Sequence, residues 1–384
     1  MGGGGMKAVL GEVLPCTAMV VVEGCIIGLT IMASTAIARG MSPYVFVVYT
    51  NALGSIILLL YSFFFHKDRS GGPFFTLPFF LRVFLLGFVG ITMAQNLAFV
   101  GLSYSSPIVA CGMANQIPAI SFILGIILRT VKFNWRSTGS RARLVGSLIS
   151  FTGAISLTLY KGPTIKNHSS PSLLMAGVAA APPPPPPLLV FTSTHENWVL
   201  GCVLFAASSL TMVIWNIIQV GTMKMCSQVM KIISLYTFFG TVQSALLAIL
   251  FLERDLTAWK LDLNFELLII VLTAIFSSAI RSSIQIWCTK LKGPYFVPAF
   301  KPFGIPYAST FGSLLFPYTF HYGSIMGAFV CGVGYYTVLW GQIKDDEAYN
   351  KLDNNKNKNN NGKINSSTID DVRVPLLEDQ DSQV

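Results

Sequence analysis

Charge is scarce in this chain: 11% of its 384 residues are Asp, Glu, Lys or Arg, under half the share that a water-soluble domain carries. That excludes a soluble globular fold. Histidine is scarcer, with His66, His168, His195 and His321 all at the edges of apolar runs or between them. A membrane-embedded enzyme would need clustered acids, bases or metal ligands inside those runs, and the histidines supply none. The seven cysteines lack metal-ligand spacing and read as small apolar packing residues, so no metal or cofactor is implied.

What is abundant is apolar surface. Residues of apolar type make up 53% of the chain, and the mean hydropathy is +0.61. A hydrocarbon core takes about 20 helical residues to cross. Ten runs of about that length emerge, at 14–37, 44–65, 79–100, 107–128, 143–160, 198–220, 231–252, 265–288, 296–316 and 321–341. The expected fold class is therefore an all-α integral membrane protein with ten transmembrane helices. The first run is too long for a cleaved signal peptide and has no polar cleavage region behind it.

Cytoplasmic loops of membrane proteins collect Lys and Arg. With the N-terminus inside, twelve basic residues from Lys67 to Lys292 fall in or beside the four cytoplasmic loops. Five fall on the opposite side. Both termini are expected in the cytoplasm, and the net charge of +9 reads as a topology signal. A nucleic-acid partner is not implied, because the basic residues are scattered over separate loops without a motif. Between the fifth and sixth runs lies Pro182 to Pro187, an unbroken proline run that cannot form a membrane helix and reads as a polyproline linker. The Asn167-His168-Ser169 sequon precedes it, on the non-cytoplasmic side of this topology.

The two halves of the chain repeat one another. Pro107 and Pro294 are 187 positions apart, as are Tyr49-Thr50 and Tyr236-Thr237. Gly146 and Gly153 match Gly327 and Gly334 at an offset of 181, which needs only a shorter preceding loop. The chain divides accordingly into a first five-helix repeat at 1–165, a non-cytoplasmic Pro-rich linker at 166–196, a second five-helix repeat at 197–343 and a disordered cytoplasmic tail at 344–384. An odd number of helices per unit forces the second copy to enter the membrane from the other side, so the repeats are inverted. Inverted repeats point to a secondary transporter with its site at the repeat interface.

Three ionisable residues remain inside the runs: Glu23, Arg281 and Lys301. A charge in hydrocarbon costs at least ~2.5 kcal/mol on insertion scales and marks function by default. At ~1.5 Å per residue, Arg281 and Lys301 lie at a similar depth, about 8 to 10 Å from the cytoplasmic ends of their helices, and Glu23 lies nearer the midplane. Two readings stay open. Either the cations attract a solute carboxylate while Glu23 receives an ammonium group or a coupled proton, or Glu23 pairs permanently with one cation and the other snorkels to the interface. One positive charge is left over in both, which favours an acid as solute.

Under the 187 offset, Arg281 corresponds to Ala94, beside Gln95 and Asn96, and Lys301 to Ala114, beside Asn115 and Gln116. The expected solute site is thus Glu23, Arg281, Lys301, Gln95, Asn96, Asn115 and Gln116. Asn51, Trp215, Gln219, Gln243 and Trp287 are weaker candidates that equally suit helix-to-helix bonding or interfacial anchoring. Pro298, Pro302 and Pro306 should bend the ninth helix and turn its freed carbonyls toward the cavity.

Several segments carry a resemblance: "AMVVVEGCIIGLTIMASTAIARGMSPYVFVVYTNALGS", "NLAFVGLSYSSPIVACGMANQIPAISFILGIILR" and "GSLISFTGAISLTLYKGP" in the first half, with "WNIIQVGTMK", "WCTKLKGPYFVPAFKPFG" and "YGSIMGAFVCGVGYYTVLWGQIKDDE" in the second. In order and over nearly all of 12–347, they resemble the plant nodulin-21-like family. Its members are also called walls-are-thin-related or usually-multiple-acids-move-in-and-out transporters, in the EamA branch of the drug/metabolite transporter superfamily. The resemblance implies ten helices in two inverted EamA repeats and facilitated or proton-linked movement of amino acids or, in some members, auxin. It implies the plasma membrane, with the vacuolar membrane as the alternative, and carries over to Glu23, Arg281 and Lys301. The family generally ends its fourth and ninth helices with an acid, where this chain has Val131 and Tyr318. A nucleotide-sugar or sugar-phosphate carrier would want more cavity cations than two. A regulatory membrane protein that has lost transport is the reading that the two missing acids support. The partners implied are a small-molecule solute, the lipid bilayer and a coupled proton.

Overall fold

The structure, a computed structural model, describes residues 3–65, 77–131, 133–160, 197–223, 229–253, 256–260, 264–315 and 322–360. The four histidines, the sequon, the proline run and Tyr318 lie outside them. Every regular element among the described residues is helical. The first two spans are α1 (Gly3–Ala38) and α2 (Pro43–Phe65). The third is α3 (Leu77–Gly87) and α4 (Asn96–Tyr104), joined by a π-helical stretch, Phe88–Gln95. The fourth is α5 (Pro107–Ala114) and α6 (Ile117–Ile127), and the fifth α7 (Thr138–Leu159).

The second half repeats the plan. It has α8 (Asn197–Met223), then α9 (Val229–Leu247), then α10 (Phe265–Ile275) and α11 (Ser282–Lys292) around the π turn Phe276–Arg281. The ninth span is α12 (Phe296–Ala299), a 3₁₀ turn at Lys301–Phe303 and α13 (Gly304–Leu315), and the last is α14 (Tyr322–Asn360). Nine spans among the described residues are long and apolar enough to cross a membrane. The tenth is the ninth in order, which its prolines interrupt as expected. Exposed Leu148, Ile155, Val203, Leu246, Met326 and Phe329 face outward without protein cover, as lipid-facing side chains do.

The interruptions follow the repeat. The π stretch at 88–95, moved by 187 positions, falls on 275–282 and so covers the π turn of the eighth span. The break at Asn115 and Gln116 falls on the 3₁₀ turn of the ninth. The inversion is visible too. Ser103, at the end of α4, lines the same surface recess as Met41 and Tyr44, and Gly101 packs against Gly201 near the start of α8. So α8 begins on the side where α2 begins, and its 27 residues carry the chain about 40 Å to the other side. There α9, the repeat partner of α2, begins.

The fifth and tenth spans form the tightest seam. Gly139, Gly146 and Gly153 of α7 meet Gly341, Gly334 and Gly327 of α14 in antiparallel register. A Cβ on Gly146 would stand 2.7 Å from the Val338 nitrogen, and one on Gly341 2.7 Å from the Gly139 carbonyl oxygen. Seven-residue spacing keeps each glycine row on one helix face, and absent side chains let two backbones touch. The seam includes two glycines, Gly139 and Gly341, beyond the four found by comparing the repeats.

The seam also changes the expected tail. Helix α14 continues through Asn360, so the residues from Lys344 to Asn360 are helical rather than disordered. Asp345 sits over the start of α7, accepting from Ser137 Oγ at 2.6 Å and Ser140 Oγ at 3.2 Å. Arg143 approaches the same carboxylate at 3.6 Å and lies 4.3 Å from the centre of the Phe122 ring. Counted from the sequence as a loop cation, Arg143 is buried, because α14 extends far enough to cover it.

Candidate functional site

The site begins with a break in a helix. Pro302 has no N–H, so the Pro298 carbonyl loses its α-helical donor. Tyr335 of α14 supplies one instead, its hydroxyl donating to that carbonyl at 2.8 Å, and Tyr336 donates to the Ala299 carbonyl at 2.9 Å. The expectation that freed carbonyls would face the cavity is therefore corrected at these two, which two consecutive tyrosines cap. A polar group in a membrane needs a protein partner when no water is at hand. The capped break fixes Lys301 in the 3₁₀ turn.

From there Lys301 reaches α1. Its Nζ donates to Glu23 Oε1 at 2.8 Å, with the Glu23 side chain 4% exposed and that of Lys301 35%. The ion pair joins the first span of one repeat to the broken span of the other. Packed around it are Tyr307, whose ring lies over Gly24, and Cys111, which lies beside Gly304 and within electrostatic reach of both charges.

Arg281 closes the π turn of the eighth span. It is half-buried and near enough to Lys301 for the two cations to repel, and it also acts on Tyr236. Among the described residues it has no carboxylate partner. The trio thus holds one ion pair and one unmatched positive charge, in the membrane part of the bundle.

The four amides occupy the matching turns of the third and fourth spans and are mostly engaged. Gln95 Oε1 accepts from Asn51 Nδ2 at 2.6 Å. Asn96 is buried and donates to the Thr92 carbonyl and to Ser244 Oγ, both at 2.9 Å. Gln116, also buried, donates to the Ser150 carbonyl at 2.8 Å and to Cys331 Sγ at 3.2 Å. Asn115 is buried with its Nδ2 unpartnered. Among the weaker candidates, Gln243 Nε2 donates to the Phe84 carbonyl at 3.1 Å, and Trp215 packs on Tyr236. Ser208 Oγ donates to the Ala94 carbonyl inside the π stretch at 2.8 Å.

Reading the chain alone missed Cys111, Tyr335 and Tyr336. A pair of adjacent tyrosines in a span, opposite a helix with a proline on each turn, was the available signal. Nothing in the spacing of Cys111 announced it. Two surface recesses, of about 190 and 520 Å³, lie between residues 37–44 and the turn at 256–260. Neither contains a member of the charged trio.

Comparison with known proteins places this arrangement. A profile of the EamA-like transporter family matches residues 15–159, the first half of the chain. Two WAT1-related proteins of Arabidopsis thaliana are 48% and 46% identical, the first over 96% of this chain and 97% of its own, the second over 95% of each. The Arabidopsis thaliana protein WALLS ARE THIN 1 is 31% identical over 83% of this chain and 80% of its own length. With similarity running the whole length of those relatives, the chain belongs to the WAT1-related family of EamA-like transporters, multi-pass membrane proteins that carry small solutes.

Proposed function

We propose that the solute is a small carboxylate, most simply an amino acid or an auxin-like acid, carried by alternating access of the two inverted repeats. The observation that carries this reading is the unmatched Arg281 beside the Glu23–Lys301 pair. A cation left without a counter-ion in a low-dielectric interior favours an incoming anion. A guanidinium can hold a carboxylate through two parallel hydrogen bonds, which fixes its orientation as well as its charge. Lys301 is within electrostatic reach of the same place, and its third-exposed side chain can share the bound group. Glu23 then has two roles open to it: it receives the ammonium of an amino acid, or it takes a proton when the solute displaces it from Lys301.

Gln95, Asn96, Asn115 and Gln116 complete the site on the opposite repeat. Asn115 is the best placed of these to bond a solute, with an uncommitted amide, and the others hold the interrupted turns in shape. The plasma membrane, with both termini cytoplasmic, is the setting that the basic-loop asymmetry and the resemblance support. The vacuolar membrane is the alternative.

The test is uptake into proteoliposomes by purified protein, comparing a carboxylate solute with its amide analogue. Arg281→Gln is expected to raise the apparent KM for the carboxylate about tenfold or more, the worth of one charge-assisted hydrogen bond, while transport of the amide changes little. Equal loss for both solutes would remove Arg281 from the site.

A further inference from the structure

Tyr49 and Tyr236 stand 187 positions apart, at equivalent places in α2 and α9. Each is covered by a tryptophan in nearly the same way. The Tyr49 and Trp259 rings are 6.0 Å apart at 64°, and the Tyr236 and Trp215 rings 5.8 Å apart at 74°. The tryptophans, however, are not repeat partners. Trp259 lies in the short 3₁₀ turn Leu256–Trp259 between the seventh and eighth spans, whereas Trp215 lies within α8. The positions equivalent to them under the offset are Gly72 and Gly28. Duplication alone would have copied the tryptophan with the tyrosine. The same ring pair has instead been assembled twice from different elements.

The two pairs sit at opposite ends of the bundle. Tyr49 is six residues into α2 and Tyr236 seven into α9, each about 10 Å from the end at which its helix begins, and those two ends lie on opposite sides. Each tyrosine belongs to an apolar plug. Tyr49 packs with Phe46, Met41, Ile269 and Ile270, and Tyr236 with Val83, Leu86 and Ile232. The eighth span connects them. It leaves the first plug at Ile269 and Ile270 and reaches Arg281, which acts on Tyr236, about 18 Å further on. Of the charged trio, Arg281 therefore stands beside the second plug and well away from the first.

Neither plug is satisfied in full. The Tyr49 hydroxyl donates to the Trp259 carbonyl at 2.8 Å, yet the indole nitrogens of both Trp259 and Trp215 are buried without a hydrogen-bond partner. A seal that holds permanently has no reason to bury an unmet donor. One that opens once per cycle regains that bond from water when it does. Trp215 also fills the space over Gly90 so closely that a Cβ there would stand 2.5 Å from the indole, so this ring is a stopper in a fitted seat.

We propose that Tyr49–Trp259 and Tyr236–Trp215 are the two gates of the transport cycle, one toward each side of the bundle, and that the structure holds both ring pairs closed. The proposal rests on the alternating-access reading but not on which solute is carried. Removing contacts from one closed gate shifts the population toward the state open on that side. The two tryptophans should then act with opposite sign, which a merely structural role would not produce.

The experiment uses Cys111 as a native reporter, because it is half-buried beside the Glu23–Lys301 pair. The purified full chain is placed in vesicles in a single orientation without solute and treated from one face with a membrane-impermeant maleimide. Modification of the Cys111 peptide is read by mass spectrometry. Trp259→Ala is expected to raise labelling about fivefold or more from the face that carries the 256–260 turn and to lower it from the other; Trp215→Ala should do the reverse. Trp→Phe at either place should leave labelling near that of the unaltered chain. If an alanine variant does not fold, Tyr49→Phe and Gly90→Ala replace the pair, the first loosening one gate by a hydrogen bond and the second displacing the other's stopper. Labelling that rises from the same face in both variants, or that does not change, overturns the proposal. Labelling is read without solute, so failure of the carboxylate reading would be seen separately, in uptake alone.

Discussion

Spans three and four hold Ala94 and Ala114 where spans eight and nine hold Arg281 and Lys301, although the backbone is interrupted at matching places in both. On the first side the interruptions are stabilised by neutral groups: Asn96 bonds to Ser244, Gln116 to the Ser150 carbonyl, and Ser208 to the Ala94 carbonyl. On the second side the break is capped by Tyr335 and Tyr336, and the site charges are concentrated there. The comparison teaches that the duplicated unit carries a backbone device, an interrupted helix, whereas the two cations stand in the second copy only and meet their one acid, Glu23, across the repeats. On the proposed function, that asymmetry is what gives the solute a preferred place to bind.

That contrast can be broken most severely at the ion pair. Lys301→Gln leaves the buried Glu23 without its cation and is expected to cost about 3 to 5 kcal/mol, read as thermal unfolding of the purified protein in detergent. Glu23→Gln should cost less, because the stranded Lys301 is a third exposed and keeps some hydration. The double variant should recover most of the loss. A double variant no better than Lys301→Gln alone would show that the pair is not the coupling between α1 and the ninth span.

Next in size are the glycines that hold the symmetric frame. Gly146→Ala places a Cβ 2.7 Å from a backbone nitrogen of the partner helix and should cost about 1 to 3 kcal/mol by overpacking, in the same melting measurement. Gly28→Ala, with open space around it, should be neutral or stabilise by up to about 1 kcal/mol. Equal effects at the two positions would mean that the α7–α14 seam is looser than described.

A smaller effect is expected at the cap. Tyr335→Phe removes one hydroxyl and leaves the Pro298 carbonyl unmet, a loss of about 1 to 3 kcal/mol. Tyr336→Phe should cost less, because Tyr336 is exposed. If Tyr335→Phe melts like the unaltered chain, the broken span keeps its shape without the cap. The smallest effect on stability belongs to Arg281→Gln. With no carboxylate partner to lose among the described residues, it should melt within about 0.5 kcal/mol of the unaltered chain while losing affinity for a carboxylate solute. A large fall in melting temperature would reveal a structural role for the guanidinium.

Much of this was legible from residues alone, for identifiable reasons. Ten apolar runs fixed the helical membrane fold because a bilayer admits few alternatives. The three prolines announced the break in the ninth span and the 187-position offset marked the equivalent polar positions, since a proline or a polar residue in a span is visible in one dimension, whereas the π-helical stretches were not read from them. Glu23, Arg281 and Lys301 stood out because charge in an apolar run is rare. What could not be read was which groups meet. That Lys301 rather than Arg281 takes Glu23 depends on where the 3₁₀ turn aims a side chain. That Asn96 and Gln116 donate to neighbouring helices depends on packing between segments 148 and 34 residues apart in the chain. The length of α14 was misjudged from its polar composition, because the carboxylate that anchors it, Asp345, finds its partners only on α7. The sequence by itself determined the fold, the inversion and which charges lie within the apolar runs, since these follow from hydropathy and periodicity along one chain. Only the tertiary structure decided which cation meets Glu23, which has no carboxylate partner among the described residues and which rings pack together, because pairing in a low-dielectric interior is settled by distances of a few ångströms between residues far apart in sequence.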